Sequence, residues 1–312
     1  MKAILGSMTF GEQADRDTAA SMLDAYFATG QREVDTAHAY VDGKTETLLG
    51  ELLDSEQKTA TQLATKVNPW NDEGLQPAQV KQQFHESLER LQTDNVDLLY
   101  LHAPDLDTPI ADTLQACNEL YEQGRFKRFG LSNYASWQVA EIAELCRHHG
   151  WMQPTVYQGL YNALTRGVEP ELFPCLRNYG ISFYAYNPLA GGLLSGKYAS
   201  FDAFPDDGRF HVRDGYRERY WKQDYFSVLT DFSDACSASG VTPVQAALGW
   251  LAHHSSLDEA MGDGVILGAS RLEQLNQNLP ALEGPPLDDA IVEILDRGWE
   301  VTRPDSFRYF RP

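Results

Sequence analysis

The sequence predicts an α/β protein built as a (β/α)8 TIM barrel, and three observations carry that prediction. Short apolar runs alternate with amphipathic stretches through most of the 312 residues, the pattern of βαβ units around a parallel sheet. Eight such runs occur, mostly one helix apart, which suits a closed barrel better than an open sheet. The glycine fingerprint G-x-G-x-x-G of a dinucleotide-binding open sheet is missing after the first run.

In chain order, strands are expected at 3–8, 33–35, 61–66, 96–100, 126–131, 155–158, 182–186 and 264–267. Apolar residues at helical spacing fill 15–29, 77–91, 110–122 and 137–148. Helix punctuation agrees: Asp107 to Pro109 opens one helix, and Gly30, Gly124 and Gly150 follow the ends of others. After the seventh strand a segment at 191–225, rich in Gly, aromatics and Arg, interrupts the alternation and is expected as a long loop. A second extra piece follows the eighth strand and ends in an aromatic, basic tail at 306–312. Both are expected to cover the barrel mouth, since long loops at that end usually lie over the site. No repeat or linker divides the chain, so residues 1–312 are read as a single domain.

Composition narrows the function. With 43% apolar residues a chain of this size needs no metal or disulfide to fold. The formal charge of −20, from 45 acidic and 25 basic side chains, disfavours phosphate backbones and anionic membranes, so neither nucleic acid nor membrane is an expected partner. An anionic ligand must therefore be met by basic residues gathered locally. Cys117, Cys146, Cys175 and Cys236 form no C-x-x-C pair, which fits a reducing cytosol. The N-terminal apolar run is too short for a signal peptide, and nothing approaches the ~20 apolar residues of a membrane helix. A cytoplasmic protein is expected, monomeric or homodimeric. The adjacent pairs His148–His149 and His253–His254 point apart on a helix and make poor metal ligands, so no metal is expected. Asp206–Asp207 and Asp288–Asp289 read as turn and helix-start residues.

Active sites of such barrels sit where strands end. Asp35 ends the second strand in VDTAHAY, with Tyr40 in the loop beyond it. Lys66 ends the third in LATKVNPW, and His102 the fourth in VDLLYLHAPD. Singly, each has a structural use as turn former, ion pair or core histidine. Together at one mouth they match a defined chemistry. Hydride addition to a carbonyl builds negative charge on oxygen, which must be protonated as it forms. A phenol of ordinary pKa near ~10 is a poor acid–base catalyst until its pKa is lowered. A neighbouring ammonium is expected to lower it, with a carboxylate holding that ammonium in place. Asp35, Lys66 and Tyr40 supply that chain, and His102 can donate to the carbonyl oxygen.

These four motifs resemble those of the aldo-keto reductases, whose catalytic tetrad is Asp, Tyr, Lys and His. The resemblance covers nearly the whole chain and implies Asp35, Tyr40, Lys66 and His102 in those roles. It implies a cofactor extended across the barrel mouth: Ser132 and Asn133 of GLSNY and Gln158 of VYQGLYN on the nicotinamide carboxamide, and Tyr186 stacked on its ring. The backbone around Asn187, Leu189 and Gly191 would cradle the pyrophosphate, with Lys197 adding charge. Gly191, Gly196 and Lys197 also fit the P-loop spacing G-x-x-x-x-G-K, but Tyr198 stands where that motif needs Ser or Thr. In VILGASRLEQLNQNL, Gly268, Ser270, Arg271, Gln274, Gln277 and Asn278 are implied at the adenosine end, where a strand leads into a helix start. Many members carry a basic residue in this segment; here Gly268 and Gln274 stand instead. Lys197, Arg209 and Arg271 gathered in so acidic a chain suggest a ribose phosphate, hence NADPH over NADH. LGSMTFG, KVNPW, GRF with YRERYWK, and the YFR tail are most similar to the aflatoxin-aldehyde and succinic-semialdehyde reductase branch. That branch implies a small carbonyl substrate met by Met8, Arg217 and Arg311, with carboxylates suited to bidentate arginine. The alternative is a non-catalytic, cofactor-binding redox sensor beside a partner protein. The complete tetrad, and no added N-terminal segment, favour an enzyme.

Overall fold

A computed structural model describes residues 1–206 and 208–311, so Asp207 of the expected turn and Pro312 of the expected tail lie outside the described residues. Strands β1 (Lys2–Gly6), β2 (Glu33–Asp35), β3 (Gln62–Val67), β4 (Val96–Leu101), β5 (Phe126–Ser132), β6 (Pro154–Leu160), β7 (Ser182–Tyr186) and β8 (Gly264–Gly268) close a barrel in chain order. Every neighbouring pair is parallel. Closure is made by β8 on β1, with Lys2 opposite Gly264 and Gly6 opposite Gly268.

Helix α1 (Arg16–Ala28) follows β1, α2 (Lys44–Leu52) and α3 (Ser55–Ala60) follow β2, and α4 (Pro77–Leu91) follows β3. Next come α5 (Ile110–Glu122), α6 (Ser136–His149) and α7 (Leu172–Tyr179), one after each of β4, β5 and β6. Between β7 and β8 lie α8 (Arg209–Val212), α9 (Asp214–Tyr220), α10 (Gln223–Ala238) and α11 (Pro243–His253); α12 (Leu272–Ala281) and α13 (Asp289–Thr302) close the chain. The caps explain the starts. Asp15 accepts from the Thr18 amide, and Thr242 forms a reciprocal capping box with Gln245 ahead of Pro243.

Strand residues are apolar on both faces because both are buried. Outward-facing Leu5, Val34, Leu99, Leu131 and Leu267 pack under the helices, while Ile4, Ala64, Leu98, Tyr100, Val156, Tyr184 and Ile266 fill the interior. The interior is layered. At its N-terminal end Lys2 pairs with Glu33 and donates to Tyr184 Oη at 2.7 Å, while Arg128 reaches Glu33 at 2.8 Å and Asp97 at 2.7 Å. Above this the Tyr100 ring lies against β5 at Gly130, whose added Cβ would lie 2.4 Å from that ring. Side chains two residues apart on a strand share a face. One step further up, Ala64 gives way to Lys66, Val156 to Gln158, Tyr100 to His102 and Glu33 to Asp35.

The structure departs from the sequence expectation in three places. β1 stops at Gly6: Ser7 still binds the Asp35 carbonyl through its amide and its hydroxyl at 3.0 and 2.8 Å, and the chain then turns, Phe10 donating its amide to Ser7 O at 2.8 Å. The segment after β7 is not a bare loop: it holds a 3-10 turn (Ala190–Ser195), α8 and α9, pinned by buried Phe210, Tyr220 and Trp221. The C-terminal extension divides in two. Helix α13 packs on α10 beside the barrel. Only the residues beyond it reach the mouth, where Arg311 donates its amide to Asn133 O at 2.9 Å.

Candidate active site

Asp35 is the last residue of β2 and Lys66 lies one residue before the end of β3, both facing the axis and almost fully buried. The Lys66 ammonium lies 2.8 and 2.7 Å from the two Asp35 oxygens, 2.7 Å from Thr36 O and 3.3 Å from Tyr40 Oη. Gln158 donates to Asp35 Oδ1 at 2.8 Å. Burial pushes the Asp35 carboxyl up and the Lys66 ammonium down, and their mutual attraction opposes both.

An ammonium only donates, so Tyr40 Oη accepts from Lys66 and keeps its own O–H for another acceptor. Tyr40 lines the cavity described below. Its pKa corrects the expectation of a lowered value: burial, and secondarily the Asp35 carboxylate, hold the phenol well above its ordinary value. The physical reason is that Lys66's charge is engaged by the carboxylate, leaving desolvation to dominate. The phenol is therefore a fully protonated donor at neutral pH. His102 directly follows β4, its ring 4.7 Å from Trp70 and 5.8 Å, edge-on, from Tyr40. Burial, with Lys66 and Arg311 nearby, holds the imidazole well below its ordinary pKa, so it is neutral. Its Nδ1 is buried with no partner among the described residues.

These side chains stand at one end of a cavity of about 1000 Å³ across the C-terminal ends of the strands. Every residue expected to act in catalysis, cofactor binding or substrate binding lines it except Lys66, which pairs with Asp35 and contacts Tyr40, and Arg217. Next to His102, Asn133 Nδ2 donates to His102 O at 2.8 Å and Ser132 Oγ at 3.0 Å, and Asn133 Oδ1 accepts from Tyr186 Oη at 2.9 Å. Ser132, Asn133 and Tyr186 thus form one braced wall. Gln158 is anchored on Asp35 rather than free.

The cavity runs on past Asn187, Leu189, Gly191, Lys197 and Arg209 to Gly268, Ser270, Arg271, Gln274, Gln277 and Asn278. Gln274 Oε1 accepts from the Ser270 amide and hydroxyl at 2.9 and 3.2 Å, spanning the start of α12. Gly268 presents bare backbone to open space, and Asn187 Nδ2 is buried without a partner among the described residues. A cavity of this size with an aromatic wall, an orphaned amide donor and several basic lining residues in a chain of charge −20 fits a nicotinamide dinucleotide.

At the mouth, Met8 and Arg311 line the cavity, with Arg311 5.0 Å over the Trp70 ring. Arg217 does not: it is exposed and lies against Phe204 at 5.0 Å. Arg219 takes the cavity position, with its Nε buried and unpartnered among the described residues. Two residues along a helix turn a side chain by about 200°, to the other face. Sequence reasoning also missed Trp70, Arg213 and Tyr216 as lining residues. Buried Tyr220 shows which face of α9 points inward, and Tyr216 at i−4 shares it. That spacing was the available signal.

A family model described as the Aldo/keto reductase family matches residues 2–300. Among curated proteins, the chain is 48% identical over 320 residues to aflatoxin B1 aldehyde reductase member 2 of Rattus norvegicus, covering 99% of this chain and 87% of that protein. It is 46% identical over 318 residues to aflatoxin B1 aldehyde reductase member 4 of Homo sapiens, covering 98% and 96%. It is 37% identical over 304 residues to aldo-keto reductase pigE of Monascus ruber, covering 89% and 86%.

Proposed function

The chain belongs to the aldo/keto reductase family and is an oxidoreductase acting on carbonyls, and on that premise we propose that it reduces aldehydes and ketones to alcohols with NADPH, Tyr40 being the general acid. The observation that carries this reading is the contact of Lys66 with Tyr40 Oη at 3.3 Å. It commits the phenol oxygen to accepting and its proton to the cavity.

A reduced nicotinamide, when bound, supplies hydride to the carbonyl carbon. Ser132, Asn133 and Gln158 would orient its carboxamide and Tyr186 would stack on its ring, in the same cavity as Tyr40 and His102. Neutral His102 offers a ring N–H to the carbonyl oxygen and sets its direction. Tyr40 gives its proton to that oxygen as charge develops there. The phenolate left behind is already in contact with Lys66, whose charge is held in place by Asp35 and Thr36. The balance is carbonyl, NADPH and a proton to alcohol and NADP⁺. Lys197, Arg209 and Arg271 around the far end of the groove support NADPH over NADH. Arg219 and Arg311 support aldehydes that carry a carboxylate or second carbonyl, in line with the aldehyde reductases among the relatives.

Tyr40→Phe tests the reading. It should abolish NADPH oxidation by 4-nitrobenzaldehyde or succinic semialdehyde while NADPH still quenches the protein's fluorescence. A Phe variant that turns over normally would remove Tyr40 from the mechanism.

A further inference from the structure

Tyr40 is followed by two consecutive non-glycine residues in the left-handed region, Val41 (φ 50°, ψ 44°) and Asp42 (φ 53°, ψ 42°). For a β-branched valine this is a true outlier, since its Cβ crowds the following carbonyl. Such strain persists only where the surroundings over-determine it. The short 3-10 turn Tyr40–Gly43 joins β2 to α2, so the strained pair fixes where the tyrosine's own backbone points.

One side chain from a different helix borders this turn on both sides. Arg90, near the end of α4, places Nη1 3.4 Å from His38 O and 3.3 Å from Glu46 Oε2, and Nη2 3.6 Å from Glu86 Oε2. His38 precedes Tyr40, and Glu46 lies in the first turn of α2, so one guanidinium spans both ends of the turn. Its plane also lies against Gly43 (φ 81°), where an added Cβ would come within 2.5 Å of Cζ. The clamp is anchored in turn. Glu46 is wholly buried, and its other oxygen accepts from Thr65 Oγ1 at 2.6 Å, the residue before Lys66. The His38 amide donates to Lys66 O at 3.2 Å. Helices α2 and α4 cross so closely that a Cβ on Gly50 would lie 2.2 Å from Arg90 O, which leaves the arginine little freedom to move.

We propose that Arg90 is a positioning residue for Tyr40: its guanidinium holds the Val41–Asp42 pair in the left-handed conformation and so keeps the phenol oxygen on Lys66. Without it the turn is free to relax to ordinary φ values, and the phenol swings off the ammonium. The inference rests on Tyr40 being the acid.

Arg90→Ala is expected to lower kcat about tenfold, equivalent to ~1.4 kcal/mol, with KM for 4-nitrobenzaldehyde and Kd for NADPH within about twofold of the parent. Val41→Gly in the same background should restore kcat to within about threefold, because glycine takes the left-handed conformation without steric cost. A merely structural arginine would lower thermal stability without this recovery. Arg90→Lys keeps a cation beside Glu46 but cannot bridge His38 O and Glu86 together; it should lose kcat as well, and it carries the test if Arg90→Ala does not fold. The proposal is overturned if the arginine variants keep kcat within about twofold, if the loss falls on KM or Kd, or if Val41→Gly recovers nothing. An inactive Tyr40→Phe beside a fully active Arg90 variant sinks this inference alone. An active Tyr40→Phe sinks the reading beneath it.

Discussion

Lys66→Met separates what the buried ion pair does for stability from what it does for chemistry. Lys66 and Asp35 have almost no exposure, and the carboxylate's remaining side-chain partner among the described residues is Gln158 at 2.8 Å. Removing one member of a buried pair leaves an uncompensated charge and costs about 3–5 kcal/mol, whereas neutral groups of similar volume can replace both at little cost. Asp35→Asn/Lys66→Met is therefore expected to be more stable than Lys66→Met by about 2 kcal/mol or more in urea unfolding at pH 7. Activity should not follow. Both variants lose the donor that receives the phenolate, and losing one preorganised donor to developing charge costs about 10²–10³ in kcat. Stability of Lys66→Met should also depend on pH. The Asp35 carboxyl is already raised by burial, and loss of Lys66 removes its chief opposing influence. A carboxyl whose folded pKa lies above its unfolded value binds protons more tightly when folded. Stability then falls as pH rises from the ordinary carboxylate value near ~4 to the folded value, and is flat beyond it. The double variant should lack that slope. Equal stabilities at pH 7, or normal turnover in Lys66→Met, would refute the reasoning.

Arg219→Ala and Arg311→Ala should each raise KM for succinic semialdehyde about tenfold or more, from loss of a charged hydrogen bond worth ~1.5–3 kcal/mol, and change KM for 4-nitrobenzaldehyde far less. Arg217→Ala should leave both substrates within about twofold, and a selective defect there would restore the face of α9 that the structure turns outward. Arg271→Ala should weaken NADPH binding about tenfold in fluorescence titration, NADH about twofold or less, with the difference shrinking in salt. Equal losses for the two cofactors would remove Arg271 from a ribose phosphate.

The barrel was legible because its evidence is repetitive: eight short apolar runs spaced mostly by helices. The site was legible for a related reason. A strand's last inward residue is fixed by where the strand stops, so Asp35 and His102 could be placed without knowing the loops. Lys66 was read as the end of a strand that runs one residue further, and Gln158 came only from the family resemblance; inward alternation places both toward the axis. Legibility failed where the outcome depends on contacts between distant segments. Arg217 and Arg219 are both arginines on one short helix, and the cavity is lined at i, i+3 and i+6 by Arg213, Tyr216 and Arg219, a face that the sequence alone does not single out. The direction of the Tyr40 shift was misread because it is set by how far Lys66's charge is already engaged by Asp35 and by how deeply the ring is buried. Asp42–Gly43 marks a turn, but nothing at Val41, a β-branched residue, signals a left-handed backbone.

The two ends of the barrel bury charge in opposite ways, and the difference bears on the chemistry. Glu33 and Asp35 share one strand and one face, about 7 Å apart along it. At the closed end Glu33 and Asp97 face Lys2 and Arg128, so two acidic and two basic groups cancel, with Tyr184 bridging Lys2 and Arg128. At the open end Asp35 has one ammonium, and that ammonium also serves Tyr40. Between them lie Leu98, Tyr100, Val156 and Ile266, an apolar layer in which charges are weakly screened. Through it Glu33 acts to raise the Asp35 pKa further. Were Glu33 not neutralised by its own two cations, that field would favour a protonated Asp35 and loosen its hold on Lys66. The closed-end cluster thus does more than plug the barrel. Lys2 and Arg128 oppose Glu33 at its own end, and Lys66 remains the chief influence holding the Asp35 carboxyl down.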